Sequence, residues 1–182
     1  LIHRAVQELQ EEGDFAVTLP RIGVMVEVPA TIIQIADLAQ RADFISIGSN
    51  DLTQYLLAVD RNNTRVADLY SAYHPSVLRA VRYVVNEVHR VGKTVSICGE
   101  MAGDPGTAIL LMAMGFDSLS MSASNLLKVR KTICHTPLSE AKLLLDEVLA
   151  YDNPVQIRAT VEAKLTALGL IDLIRPQGAR AS

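Results

Sequence analysis

Apolar positions along this chain fall into two alternating rhythms. Residues 22–28 (Ile-Gly-Val-Met-Val-Glu-Val), 44–48 (Phe-Ile-Ser-Ile-Gly), 93–99 (Lys-Thr-Val-Ser-Ile-Cys-Gly) and 118–122 (Ser-Leu-Ser-Met-Ser) are short runs rich in β-branched residues, with the length of buried strands. Between them the spacing is helical. Ile2, Val6 and Leu9 mark an amphipathic helix over residues 1–12 that Gly13 closes. Pro29 opens a mostly buried helix through Ile32, Ile33, Ile35, Ala36 and Leu38 to Ala42, and a short helix is predicted over residues 52–59. Val77, Leu78, Val81, Val84, Val85 and Val88 give a long helix from Pro75 to a stop at Gly92. A short apolar helix over residues 107–114 ends at Gly115, and another begins near Ser124, whose hydroxyl suits an N-cap. Helix and strand thus alternate, which predicts βα units, a parallel sheet and right-handed crossovers.

Beyond Pro137 the alternation stops. Two helices, residues 139–151 and 154–168, follow with no further strand, and they read as a cap or interface arm. The tail from Arg175 is predicted to fray. The expected layout is therefore a half-barrel over residues 1–136, a helical extension over 137–174 and a frayed tail over 175–182. Four βα units are half of an eight-stranded barrel, and such a half leaves two sheet edges unpaired. Either upstream residues supply the other half, or the chain pairs with a second chain. Residue 1 is Leu rather than Met and already lies within a helical pattern, which fits a trimmed chain.

Composition narrows the classes. With 182 residues, 49% of them hydrophobic, the chain can bury one sizeable core. A net charge of −3 with no Lys/Arg-rich run argues against nucleic acid as a partner. The longest uncharged apolar stretch, residues 106–116, falls short of the ~20 residues a bilayer requires, and no signal peptide opens the chain. A cytoplasmic, soluble protein without membrane association is expected. Cys98 and Cys134 show no metal-binding spacing, and reduced thiols are the default there.

The candidate chemistry gathers where strands end. Glu27 places a charge inside an apolar run, which is expensive unless it is paired or ligated. The second strand runs directly into Ser49, Asn50 and Asp51, which offer hard oxygen ligands at a carboxyl edge, where α/β sheets bind their ligands. Two carboxylates on adjacent strands suit Mg²⁺, which takes one or two of them plus phosphate and water. Each could instead cap a helix or pair with an arginine. Arg61 is a planar fork for carboxylate or phosphate, although a solvated pair with Asp60 is the alternative. Cys98 ends the third strand at the same edge, as a nucleophile, a proton donor or a small buried hydrophobe. Glu100 and Asp104 can order the Gly-rich turn that follows. His74, His89 and the methionines at 112, 114 and 121 read as structural.

In order and spacing, GVMVEVPA, SIGSNDLTQYLLAVDRNN, HPSVLRAV, SICGEMAGDP and SLSMSASNLLKVR closely resemble the C-terminal phosphoenolpyruvate (PEP)-binding domain of enzyme I of the bacterial phosphotransferase system, over residues 1–130. Pyruvate phosphate dikinase and PEP synthase are similar in the SNDLTQ and CGE segments. AVDRNN, CGEMAG and SMSA favour enzyme I, and SNLLKVR resembles its nitrogen-related branch rather than the sugar-transport one. The resemblance implies the second half of a TIM-type (β/α)8 barrel. It further implies that Glu27 and Asp51 hold Mg²⁺, that Asn50, Asp51 and Arg61 bind PEP, and that Cys98 protonates the enolate as pyruvate forms. In the family a histidine on a separate N-terminal domain takes the phosphoryl group and passes it to a small HPr-type carrier. Neither that domain nor the family's two other substrate-binding arginines lies in this chain, so the chain alone is expected to be inactive. The family dimerises through this domain, and a homodimer is expected. The other reading is a dimerisation or regulatory module without catalysis.

Overall fold

The computed structural model describes residues 1–13 and 16–174. Each apolar run forms a strand shorter than its sequence pattern: β1 (Gly23–Val26), β2 (Phe44–Gly48), β3 (Thr94–Cys98) and β4 (Ser118–Ser120). The strands pair in parallel in the order β1-β2-β3-β4, with Val26 beside Ile47, Gly48 beside Cys98 and Cys98 beside Ser120. An order that never reverses is that of a barrel wall, because a doubly wound sheet changes direction partway. The α/β fold is therefore part of a TIM-type barrel, as the alternation predicts.

Strand periodicity sorts the residues onto two faces. Val26, Ile45, Ile47, Val95 and Ile97 are fully buried under the helices. The other face carries Met25, Ser46, Ser96 and Ser118 in one register row, and it is open enough to leave Met25 48% exposed. Glu27 lies two residues beyond Met25, so it follows the strand on this open face.

Ahead of the sheet, α1 (Ile2–Glu12) buries no residue, and Gly13 ends it in extended backbone (φ −168°) rather than a left-handed cap. The predicted helix 29–42 is two pieces, α2 (Pro29–Ile33) and α3 (Ile35–Arg41), broken at Gln34. Ile35 and Ala39, one turn apart, are the fully buried residues of the two pieces, Ile32 packs half-buried against the core, and Ile33 is 83% exposed. The pair is thus less buried than the sequence predicts, because only one short stripe of the broken helix turns toward the core.

After β2, α4 (Ser49–Leu57) begins three residues earlier than predicted and ends at Ala58 in left-handed backbone (φ 52°). Asn50 and Asp51 consequently sit in its first turn rather than at its cap, which is Gly48. His74 accepts from the Ser76 N–H at 3.2 Å and caps α5 (Pro75–Arg90), whose valine stripe is buried as predicted. His89 lies in the last turn of α5, and its Nε2 is 3.0 Å from Asp117 Oδ2.

A short α6 (Glu100–Gly103) precedes α7 (Pro105–Met114), which Asp104 caps through the Thr107 N–H at 2.8 Å. α8 (Ala123–His135) starts after Ser122, whose hydroxyl meets Ser124 Oγ at 2.9 Å, so Ser124 is not the cap. α7 is buried along nearly its whole length, packed between α8 and α9 (Leu138–Leu149). Leu144, Leu145 and Val148 of α9, with Ile157, Val161 and Leu165 of α10 (Pro154–Ala167), join the same core as the strands. The tail 175–182, expected to fray, lies outside the described residues. Among the described residues no helix is long and apolar enough to cross a membrane.

Candidate functional site at the carboxyl edge of the sheet

Glu27, Gly48 and Cys98 follow one another across the carboxyl ends of β1, β2 and β3. Gly48 makes this possible. A Cβ on it would stand 3.1 Å from Glu27 Oε2 and 3.2 Å from Glu27 Cβ, so the bare backbone lets the Glu27 side chain lie across the end of β2. Glu27 is half-buried and has neither a basic partner nor a hydrogen bond among the described residues. Such a carboxylate is unfavourable unless a cation or water supports it.

Asn50 and Asp51 leave the first turn of α4 at the same edge. The Asn50 side-chain oxygen accepts the Glu100 N–H at 2.9 Å, which ties α4 to α6. With that oxygen engaged, the amide NH₂ is the group left to donate to an anion. Ser49 Oγ donates to Cys98 O at 2.7 Å, and the two turns meet at Gly99. Gly99 has φ +102°, and a Cβ there would run into Ser49 Oγ and lie 2.7 Å from Asn50 Oδ1, so only glycine fits.

Arg61 does not form the solvated pair with Asp60 that stood as the alternative to an anion site. Its Nη2 lies 3.3 Å from Asp51 Oδ1, and its backbone N–H donates to Gln54 Oε1 at 3.3 Å. Nη1 is buried with no hydrogen-bond partner among the described residues. A guanidinium N–H buried in this way implies a missing acceptor, either water or ligand. Cys98 is half-buried, and its Sγ donates to Ile47 O at 3.5 Å, a long sulfur contact that holds the thiol at the same edge.

Glu27, Asn50, Asp51, Arg61 and Cys98 thus come to one end of the sheet. Beside them opens a cleft of about 480 Å³ lined by Asn50, Gly99, Glu100, Ser120, Met121, Ser122 and Asn125. Among the described residues no group of three or more His, Cys, Asp or Glu forms a metal cage. Mg²⁺ does not need one, since two carboxylates with water and phosphate satisfy it, and a partnerless Glu27 at the sheet edge where the first turn of α4 carries Asp51 fits that habit.

Thr53 and Tyr70 are absent from the sequence reading, and Ser49 enters it in a different role. Ser49 adjoins Asn50 and was legible only as an oxygen ligand. Thr53 is fully buried with Oγ1 unpaired among the described residues, inside what reads as an ordinary short helix. Tyr70 belongs to the polar connection after α4, where no periodicity marks it. Its hydroxyl donates to Asn50 O at 3.3 Å. Burial and then the charge of Glu100 push its pKa up, against the pull of Thr53 and Arg61 in the other direction.

Residues 1–138 match a family described as PEP-utilising enzyme, PEP-binding domain. The chain is 42% identical over 175 residues to a Salmonella typhimurium protein named phosphoenolpyruvate-dependent phosphotransferase system, covering 96% of this chain and 23% of that protein. It is 42% identical over 155 residues to a Haemophilus influenzae phosphoenolpyruvate-protein phosphotransferase, covering 85% of this chain and 27% of that one. A Buchnera aphidicola protein of the same name is 44% identical over 140 residues, covering 77% and 24%. The chain spans about a quarter of the length of the curated relatives it matches.

Proposed function

Since the chain belongs to the PEP-utilising enzymes through their PEP-binding domain, we propose that it forms the second half of the catalytic barrel of a phosphoenolpyruvate-protein phosphotransferase. The observation that carries this is the gathering of a partnerless carboxylate, a half-paired guanidinium, a free amide and a thiol on one sheet edge.

Arg61, with Nη1 unpaired among the described residues, takes anionic oxygens of PEP, and the Asn50 amide donates to the same molecule. Glu27 and Asp51 hold Mg²⁺, which when bound supplies positive charge against the oxygen charge of the developing enolate. Loss of the phosphoryl group leaves that enolate in need of one proton at C3. Cys98 delivers it as general acid: the S–H bond breaks, a C–H bond forms, and the thiolate regains its proton from water. The phosphoryl group goes to a histidine outside this chain and from there to an HPr-type carrier protein. The protein works in the cytoplasm as a homodimer, on the nitrogen-related branch by its SNLLKVR segment. Within this chain, residues 1–136 form the half-barrel and 137–174 a helical extension that caps it.

The test is Mg²⁺-dependent pyruvate formation from PEP by the full-length protein. Cys98→Ala and Arg61→Ala are each expected to lower kcat/KM by roughly 10²-fold or more. Turnover unchanged in both variants removes the roles assigned here.

A further inference from the structure

The connection from Ala58 to His74 returns Tyr70 to the first turn of α4, beside residues this fold commits to the edge of the sheet. Its hydroxyl donates to Asn50 O at 3.3 Å, and the Thr53 hydroxyl and the Arg61 guanidinium lie near enough to pull its pKa down without a hydrogen bond to it among the described residues. Those two neighbours contribute the two buried polar atoms that lack a hydrogen bond among the described residues, Thr53 Oγ1 and Arg61 Nη1. One phenol thus stands at the junction of the Asn50 turn, the Arg61 fork and an unsatisfied hydroxyl.

We propose that Tyr70 is a positioning residue: its hydroxyl sets the Asn50 turn and the Arg61 guanidinium against each other, so that one anion meets both. The inference rests on the PEP reading of this edge. A phenol suits the task because it donates and accepts at once on a ring with few rotamers, and burial keeps it protonated. The Arg61 backbone is held separately by Gln54, at 3.3 Å, which leaves the guanidinium end as the part Tyr70 governs. Nothing in this arrangement places Tyr70 on the reacting atoms, so its loss acts on binding rather than on proton delivery by Cys98.

Tyr70→Phe in the full-length protein keeps the ring and removes only the hydroxyl. KM for PEP is expected to rise roughly 10- to 100-fold, as for loss of a group that orients a ligand-binding side chain, while kcat stays near the wild-type value. In an Arg61→Lys background the same change is expected to add little, because both act through one fork. An unchanged KM, a loss confined to kcat, or full additivity with Arg61→Lys overturns the role. Ligand-free crystal structures decide the matter independently of turnover. They are expected to show Arg61 displaced from Asp51 in Tyr70→Phe, and an unmoved guanidinium refutes the proposal even if the full-length protein neither binds nor consumes PEP, an outcome that removes the PEP reading itself.

Discussion

Gly48 shows how much of the site depends on a missing atom. The space above its Cα is occupied by Glu27, and a methyl group there needs a few tenths of an ångström that the carboxylate side chain must yield. Gly48→Ala is therefore expected to weaken Mg²⁺ activation, raising the Mg²⁺ concentration for half-maximal turnover while leaving the fold intact by circular dichroism. An unchanged Mg²⁺ requirement would falsify the part assigned to Glu27. Away from the site, Asp117 accepts from the Val95 N–H at 2.8 Å and meets His89. Burial pushes its carboxyl up, but the His89 ring, the Val95 N–H and the His89 charge outweigh it and hold the group below the usual carboxylate range. Since the folded pKa is the depressed one, the contribution is present above the unfolded value of about 3.9 and is lost as pH falls through the folded value. Urea titrations are expected to show Asp117→Asn less stable than wild type at pH 7, with the gap closing as pH falls through the depressed folded value; a gap that persists in strong acid argues for a different cause. At this scale Glu27 was legible because a charge interrupts an apolar run. Thr53 and Tyr70 were not, because their importance comes from an approach between positions 17 apart in the chain, across a connection that no periodicity marks.

Among the elements, α7 is the one that α6, α8, α9 and α10 close around, with Asp104 fixing where it starts. Asp104 Oδ1 accepts both the Thr107 N–H at 2.8 Å and the Tyr73 hydroxyl at 2.7 Å. Burial, then the nearby Asp104, push the Tyr73 pKa far above its ordinary value, so this hydroxyl stays a donor. Asp104→Ala loses a cap, about 1 kcal/mol, and strands a buried hydroxyl, about 1 to 3 kcal/mol more. Adding Tyr73→Phe should recover part of that loss; strictly additive denaturation energies count against the shared bond. Leu111→Ala, in the fully buried middle of α7, is expected to cost about 2 to 5 kcal/mol. The long valine helix was readable because six apolar residues repeat on one face. The break at Gln34 was not, because Pro29 to Ala42 carries apolar residues on several faces and only packing selects Ile35 and Ala39. Strand ends were overestimated for a similar reason: Glu27 and Val28 continue the apolar run in letters but not in pairing.

For the whole molecule, the parallel sheet was readable from βα alternation, whereas the alternation does not by itself set the order of the strands, since doubly wound sheets share it. Its incompleteness was readable as well, since four units cannot close. The outer edges of β1 and β4 pair with no strand among the described residues. Large apolar side chains also stand in solvent, with Ile33, Leu69, Leu127, Leu143 and Val155 the most exposed after Leu1. The isolated 182-residue chain is expected to self-associate, and sedimentation that finds only monomer across a wide concentration range argues against this.

The row Met25, Ser46, Ser96 and Ser118 has a further consequence. Barrels of this kind fill their lumen with bulky branched side chains in stacked layers. Three hydroxymethyl groups on this wall fill little of that space, so on the half-barrel reading proposed above the facing arc is expected to carry the bulk. Supplying the missing arc as a separate polypeptide is then expected to restore pyruvate formation by complementation, and enlarging Ser96 to Leu is expected to prevent the two pieces from docking.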